Sequence, residues 1–194
     1  MFRTLLVVLA LLGQSAAACP VAEDLDVSVS VIFDDGITEV YRRSGTGVIA
    51  VEGRVDGTVI YRMQLAQGVH LLRYEDVEGG QSVPASLIVY DYEGAANSLP
   101  VPRPGGRWQA DVTVTRPEDR VAENQSQVYG EETTIEIGGC RYDAIPVTIA
   151  YDTPGGYLEA LVYMPELGIA ILDWSQTGDE DAIPVTPLSI SRGK

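Results

Sequence analysis

Histidine occurs once, at His70, and lysine once, at Lys194. A single imidazole excludes a multi-histidine zinc site within one chain, and no HExxH pair exists to build one. It leaves one candidate base for a serine triad, yet no GxSxG elbow is present to carry the nucleophile. A lone strand histidine of this kind reads as a surface or core-edge residue. GxxxxGK[ST] is also missing, so no glycine loop is arranged to cradle phosphate. Positive charge is scarce: 13 Lys and Arg stand against 28 Asp and Glu, a formal net charge of −15, and Arg42-Arg43 is the only adjacent cationic pair. Phosphate backbones and anionic headgroups would repel such a surface, which excludes nucleic acid as a partner. Asp179-Glu180-Asp181 lacks the spaced ligands of an EF-hand loop, and no metal or cofactor is expected. The adjacent acids Asp34-Asp35 and Glu131-Glu132 would point to opposite faces of a strand and could not converge on one substrate. No catalytic residue is assigned.

Long apolar runs are absent except near the start. Arg3, the run Leu5 to Leu12, and Ala16-Ala17-Ala18 have the anatomy of an export signal over residues 1–18. The run is shorter than the about 20 residues that span a bilayer, and no transmembrane segment is expected in the mature chain. Loss of Arg3 with the leader takes the formal charge from −15 to −16. Cysteine occurs twice, at Cys19 and Cys140. In an oxidising compartment two cysteines most simply pair, closing a loop of about 120 residues, nominally ~5 kcal/mol in the chain-entropy model. Acylation of Cys19 is the alternative. The junction has small residues as a lipobox does, but Ala16 stands where Leu is preferred, and acylation would strand Cys140. The expected location is periplasmic or secreted, with a lipoprotein anchored through Cys19 as the alternative. The preference for arginine over lysine suits a GC-rich bacterial genome, and Asn124-Gln125-Ser126 is then a coincidental glycosylation sequon.

What the chain has in abundance is period-two alternation. Val27, Val29, Val31 and Phe33 share one face; Val59, Tyr61, Met63 and Leu65 repeat the pattern; Trp108, Ala110, Val112 and Val114 do so most cleanly. Asp35-Gly36, Asp56-Gly57, Gln67-Gly68, Gly79-Gly80, Gly138-Gly139 and Pro154-Gly155-Gly156 supply turns between such runs. Roughly eleven strands follow, and no window carries a helical stripe. The expected fold is all-β: a single antiparallel meander forming an open barrel or half-barrel, with a β-sandwich as the alternative. One domain should span residues 19–194, with an irregular tail from about 176. Residues 95–106, rich in proline, and the polar stretch 117–127 read as surface loops.

Val83 to Tyr92 and the hairpin Leu158 to Trp174 carry apolar groups on both faces, so chain covers both faces or one of them lines a groove. Ten tyrosines against two phenylalanines suit either a groove with one wet side or ordinary sheet rims. Gly139-Cys140-Arg141-Tyr142, followed by Tyr163-Met164-Pro165-Glu166-Leu167-Gly168, resembles a pattern in uncharacterised exported bacterial β proteins. In outline these are similar to the LolA/LolB-like lipoprotein-carrier half-barrels. The resemblance implies a curved sheet that holds acyl chains on its concave face, although the helices that plug those carriers are lacking here. The expected function is a non-enzymatic exported envelope protein that binds an apolar ligand, such as a hydrophobic small molecule or lipid, or an envelope protein. The alternatives are a structural or protein-interaction module, and a carboxylate-based hydrolase, which needs two acids facing each other across a cleft.

Overall fold

The computed structural model describes residues 18–193, so the expected leader lies outside the described residues except for Ala18. The strands are β1 (Val29–Phe33), β2 (Thr38–Gly45), β3 (Val48–Val55), β4 (Thr58–Ala66), β5 (His70–Glu78), β6 (Gln81–Ser82), β7 (Ile88–Asp91) and β8 (Arg107–Thr115). They continue with β9 (Arg120–Tyr129), β10 (Thr133–Ile137), β11 (Cys140–Tyr151), β12 (Tyr157–Met164), β13 (Ile169–Thr177), β14 (Ile183–Pro184) and β15 (Pro187–Arg192). All belong to one antiparallel sheet in the order β14-β13-β12-β11-β9-β8-β7-β5-β4-β3-β2-β1-β15, with β6 beside β5 and β10 beside β11. The sheet is open, ending at β14 and β15. The all-β open meander is the fold that the alternation predicts.

The alternation works as expected in β1 and β8, whose Val29, Val31, Phe33, Val112 and Val114 are buried. In β11 it changes phase at Ala144 and Ile145, both buried, where the strand passes from β10 to β9 as its neighbour. Asp56 and Gly57 have φ of 50° and 78°, the pair of positive values a two-residue hairpin turn requires. Gly68 (φ 69°) is needed for a second reason. A Cβ there would lie 2.1 Å from the Gly168 carbonyl oxygen, and the Ala170 N–H donates to the Gly68 carbonyl at 2.8 Å. The tips of the β4–β5 and β12–β13 hairpins therefore meet backbone to backbone.

Two apolar clusters fill the interior. The larger joins Val29, Tyr41, Ile49 and Val51 to Ile137, Met164, Ile169 and Ile171. The second joins Val69, Tyr129, Val147 and Ile149 to Tyr163 and Ala170. The two-sided hairpin β12–β13 thus buries one face in each cluster. On the opposite face of β2–β5, Arg42, Arg54 and Arg62 surround Glu52, while Arg62 and Arg73 flank Glu75. Hydrogen bonding from Arg54, then the charges of the three arginines, lowers the Glu52 carboxyl below its usual range despite some desolvation. Such half-exposed pairs contribute about 0–1 kcal/mol each and chiefly keep that face wet.

Three expectations are corrected. Val83 to Tyr92 is not one strand: Pro84–Ser86 form a 3₁₀ turn, since proline cannot donate to a ladder, and only Ile88–Asp91 pair. The polar stretch 117–127 is a loop only at its start; from Arg120 it is β9, whose partners β8 and β11 saturate its backbone on both sides. The tail from about 176 is not irregular throughout. It returns to form β15, which pairs with β1 (Val31 opposite Ile190) and satisfies that edge. Among the described residues no helix is long and apolar enough to cross a membrane.

Cys19 and Cys140 are joined by a disulfide across a separation of 121 residues, with Cα atoms 5.5 Å apart. The bond uses the sulfur that a lipid thioether would need. Around it, the Tyr142 hydroxyl donates to the Pro20 carbonyl at 3.1 Å, and Arg192 pairs with Asp24 at 2.9 Å. The first described residues are thereby tied to β11 and β15. Cys140→Ser is expected to cost about 2–5 kcal/mol in urea unfolding under non-reducing conditions. Wild type in reductant should lose a similar amount, and the variant should be insensitive to reductant.

Candidate functional site

In β2, Glu39 and Tyr41 lie two apart and face inward. The ladder sets Glu39 opposite Gly53 of β3, and Gly53 opposite Tyr61 of β4. Because Gly53 has no side chain, the Tyr61 ring lies across β3; a Cβ at Gly53 would be 2.1 Å from the ring. The Tyr61 hydroxyl reaches past it to donate to Glu39 Oε1 at 2.6 Å, and the Tyr41 hydroxyl donates to Oε2. Tyr74 stacks on Tyr61 with centroids 5.9 Å apart and donates its own hydroxyl to Asp76 at 2.7 Å. Burial pushes the Glu39 carboxyl up, against the pull of its two tyrosine bonds. Burial and the adjoining carboxylate push Tyr41 and Tyr61 far above the usual phenol range.

A second unit repeats this chemistry on β11 and β12. Tyr151 and Tyr157 face each other across the ladder with ring centroids 5.4 Å apart. Glu159, two residues beyond Tyr157, accepts from Tyr151 at 2.6 Å through Oε2 and from Tyr157 at 3.0 Å through Oε1. Burial again raises the carboxyl, the tyrosine bonds lower it, and the nearby Glu123 charge adds to the rise. Tyr157 is pushed up to about 12, mainly by burial and then by the Glu159 charge.

Both units line one cavity of about 250 Å³. One wall comes from β2, β4 and β5, with Met63, Leu65 and Leu71 beside Tyr41, Tyr61 and Tyr74. The other comes from β11–β13, with Leu161, Ala170 and Leu172 beside Tyr151 and Glu159. Gly68, at the hairpin contact, also lines it. The two-sided C-terminal hairpin thus has one face covered by chain and the other partly open to a cavity. Four of the ten tyrosines line this cavity.

Glu39 and Glu159, 120 positions apart in the sequence, are the two acids in the cavity lining that a hydrolase could draw on. Their chemistry does not divide the labour, however. A catalytic acid and base are set apart by environments that push their pKa values in opposite directions. Here both carboxyls are buried, both are held by two phenols, and both move upward. The pair is built alike, as two binding groups would be.

His70 stands outside this cavity and is fully buried rather than at a core edge. Its Nε2 lies 2.7 Å from the Pro100 carbonyl, which can only accept, so Nε2 carries the proton. Nδ1 then accepts from Gln127 Nε2 at 3.2 Å, and the Tyr129 hydroxyl donates to Gln127 Oε1 at 3.2 Å. The Trp108 ring packs on the imidazole edge-on, centroids 4.6 Å apart. This chain pins the proline-rich loop 95–106, whose Leu99 is buried, and explains why Gln127 of β9 points inward, while the buried Gln125 accepts from the Tyr92 hydroxyl at 2.9 Å. Burial lowers His70 to about 4 from 6.5. It is a structural residue held neutral.

The chain matches no family model and no curated protein. Among solved structures it is similar to the hypothetical lipoprotein YmcC from Escherichia coli (K12), at 12% identity, covering 85% of this chain and 86% of that one, with a TM-score of 0.47. A likeness of that size transfers no ligand, anchor or partner.

Two outcomes follow from this geometry. Gly53→Ala should displace the Tyr61 ring, leave Glu39 one donor short and cost about 2–3 kcal/mol in urea unfolding. In a Tyr61→Ala background, where no ring is displaced, the same substitution should be neutral to within about 0.5 kcal/mol. For His70 the sign is set by a depressed folded value: the unfolded chain protonates near 6.5, whereas the folded one waits until about 4. Stability from this group is complete above about pH 6.5 and falls by up to ~3 kcal/mol as pH drops towards 4. Unfolding free energies measured across that interval should show this slope in wild type and lack it in His70→Gln.

Proposed function

We propose that this is a non-enzymatic exported envelope protein that binds a small, largely apolar ligand in the cavity between β2–β5 and β11–β13. The observation that carries the reading is the cavity itself: about 250 Å³, floored by aliphatic side chains and Met63, with a few polar groups at fixed positions. Apolar lining with a small number of oriented polar atoms is the usual anatomy of a small-molecule site. A concave sheet used in this way is also what the LolA/LolB-like resemblance implies. Export is supported by the leader-like run at residues 1–18 and by the Cys19–Cys140 disulfide, which persists in oxidising compartments.

The uncharged dye N-phenyl-1-naphthylamine reports entry into such a site by a rise in emission. Titration into the purified protein should give saturable enhancement. Leu161→Trp and Leu172→Trp, which fill the cavity from β12 and β13, should each weaken uptake about tenfold, the equivalent of roughly 1.4 kcal/mol. Absence of enhancement, or uptake indifferent to both substitutions in folded protein, would overturn the reading.

A further inference from the structure

The polar atoms of the cavity wall have a one-sided character. Tyr41 and Tyr61 both spend their hydroxyl proton on Glu39, Tyr151 spends its own on Glu159, and Tyr74 donates to Asp76. The remaining lining residues are glycine, methionine and aliphatics. Every polar side chain on the wall is therefore an acceptor, through carboxylate or phenol lone pairs, and none has a donor left to give. Among the described residues no arginine forms an ion pair with Glu39 or Glu159; Arg42, Arg54, Arg62 and Arg73 engage Glu52 and Glu75 on the opposite face, and Arg43 engages Asp26. A buried carboxylate, Glu39, and a half-buried one, Glu159, thus share an apolar cavity with no ion-paired arginine.

That pattern specifies what can enter. A carboxylate or phosphate headgroup would find no donor and two like charges, which argues against a fatty acid or an anionic lipid. A hard divalent cation needs six or more oxygen ligands, and no cluster of three metal-ligating side chains exists among the described residues. A weakly hydrated organic cation meets neither obstacle. Its charge is answered by Glu39 and Glu159, its N–H or N–CH₃ groups meet acceptor atoms, and four tyrosine rings in the lining can add cation–π attraction. The aliphatic floor takes an alkyl or aryl body.

We propose that the cavity selects an organic ammonium ion with an apolar body, bound between the Glu39 and Glu159 units and caged by Tyr41, Tyr61, Tyr74 and Tyr151. This rests on the ligand-binding role proposed above and names its ligand class. The two roles fail in different ways. Three probes with the same tail, octyltrimethylammonium, 1-octanol and octanoate, are competed against the uncharged naphthylamine dye at neutral pH and low salt. The expected order of affinity is ammonium at least tenfold above alcohol, and alcohol above octanoate. In Glu39→Gln and Glu159→Gln the ratio of ammonium to alcohol affinity should fall about tenfold, whatever the substitutions do to absolute affinity. If the alcohol or octanoate binds as well as the ammonium, the ammonium selectivity is wrong and the apolar site stands. If the dye and all three probes fail to bind, the ligand-binding role itself is wrong. The wild-type series alone decides between these outcomes, so the conclusion does not depend on the variants folding.

Discussion

A carboxylate taken out of water costs several kcal/mol unless other groups replace its hydration. Glu39 and Glu159 meet that cost in the same way, each with two phenol hydroxyls and no cation. Much of the architecture follows from this. Four of the ten tyrosines are placed by it, Gly53 is required by it, and the cavity wall takes its acceptor-only character from it. A salt bridge would have satisfied the same carboxylates, but Arg42, Arg54, Arg62 and Arg73 pair with Glu52 and Glu75 on the other face, and Arg43 pairs with Asp26.

The two walls must be held at a fixed separation for the units to share one cavity. Three contacts distant in sequence do so. The Gly68–Gly168 approach locks hairpin β4–β5 to hairpin β12–β13 through a backbone hydrogen bond. The disulfide ties the chain before β1 to the start of β11. The His70–Gln127 bond links β5 to β9, while Pro100 brings loop 95–106 onto the same imidazole. An open sheet has no closing ladder to keep its ends in place, so side-chain and loop contacts take over that task.

The strands that alternate conventionally were legible in the sequence. Val29, Val31, Phe33, Val112 and Val114 announce their faces, and each glycine pair named as a turn separates two strands. Where the expectation failed, the rule linking hydrophobicity to burial was itself inverted. In β9 the buried residues include Glu123, Gln125 and Gln127, while Val121 and Val128 are exposed, so a window read for apolar periodicity returns a loop. In β15, alternation persists over only six residues beside prolines, too short to be distinguished from an irregular tail. The candidate site was visible only as a tyrosine surplus, because Glu39 and Glu159 gain meaning from each other's position.

The sequence by itself determined the all-β class, the turn positions and the excess of acidic residues, all of which rest on local spacing or composition. Tertiary structure alone decided that two Glu–Tyr units 120 residues apart line one cavity, that Gly53 makes room for Tyr61, and that His70 is a buried strut. The physical reason is that these properties depend on register between non-adjacent strands and on which groups lose their water. Neither is encoded in any single window of the chain.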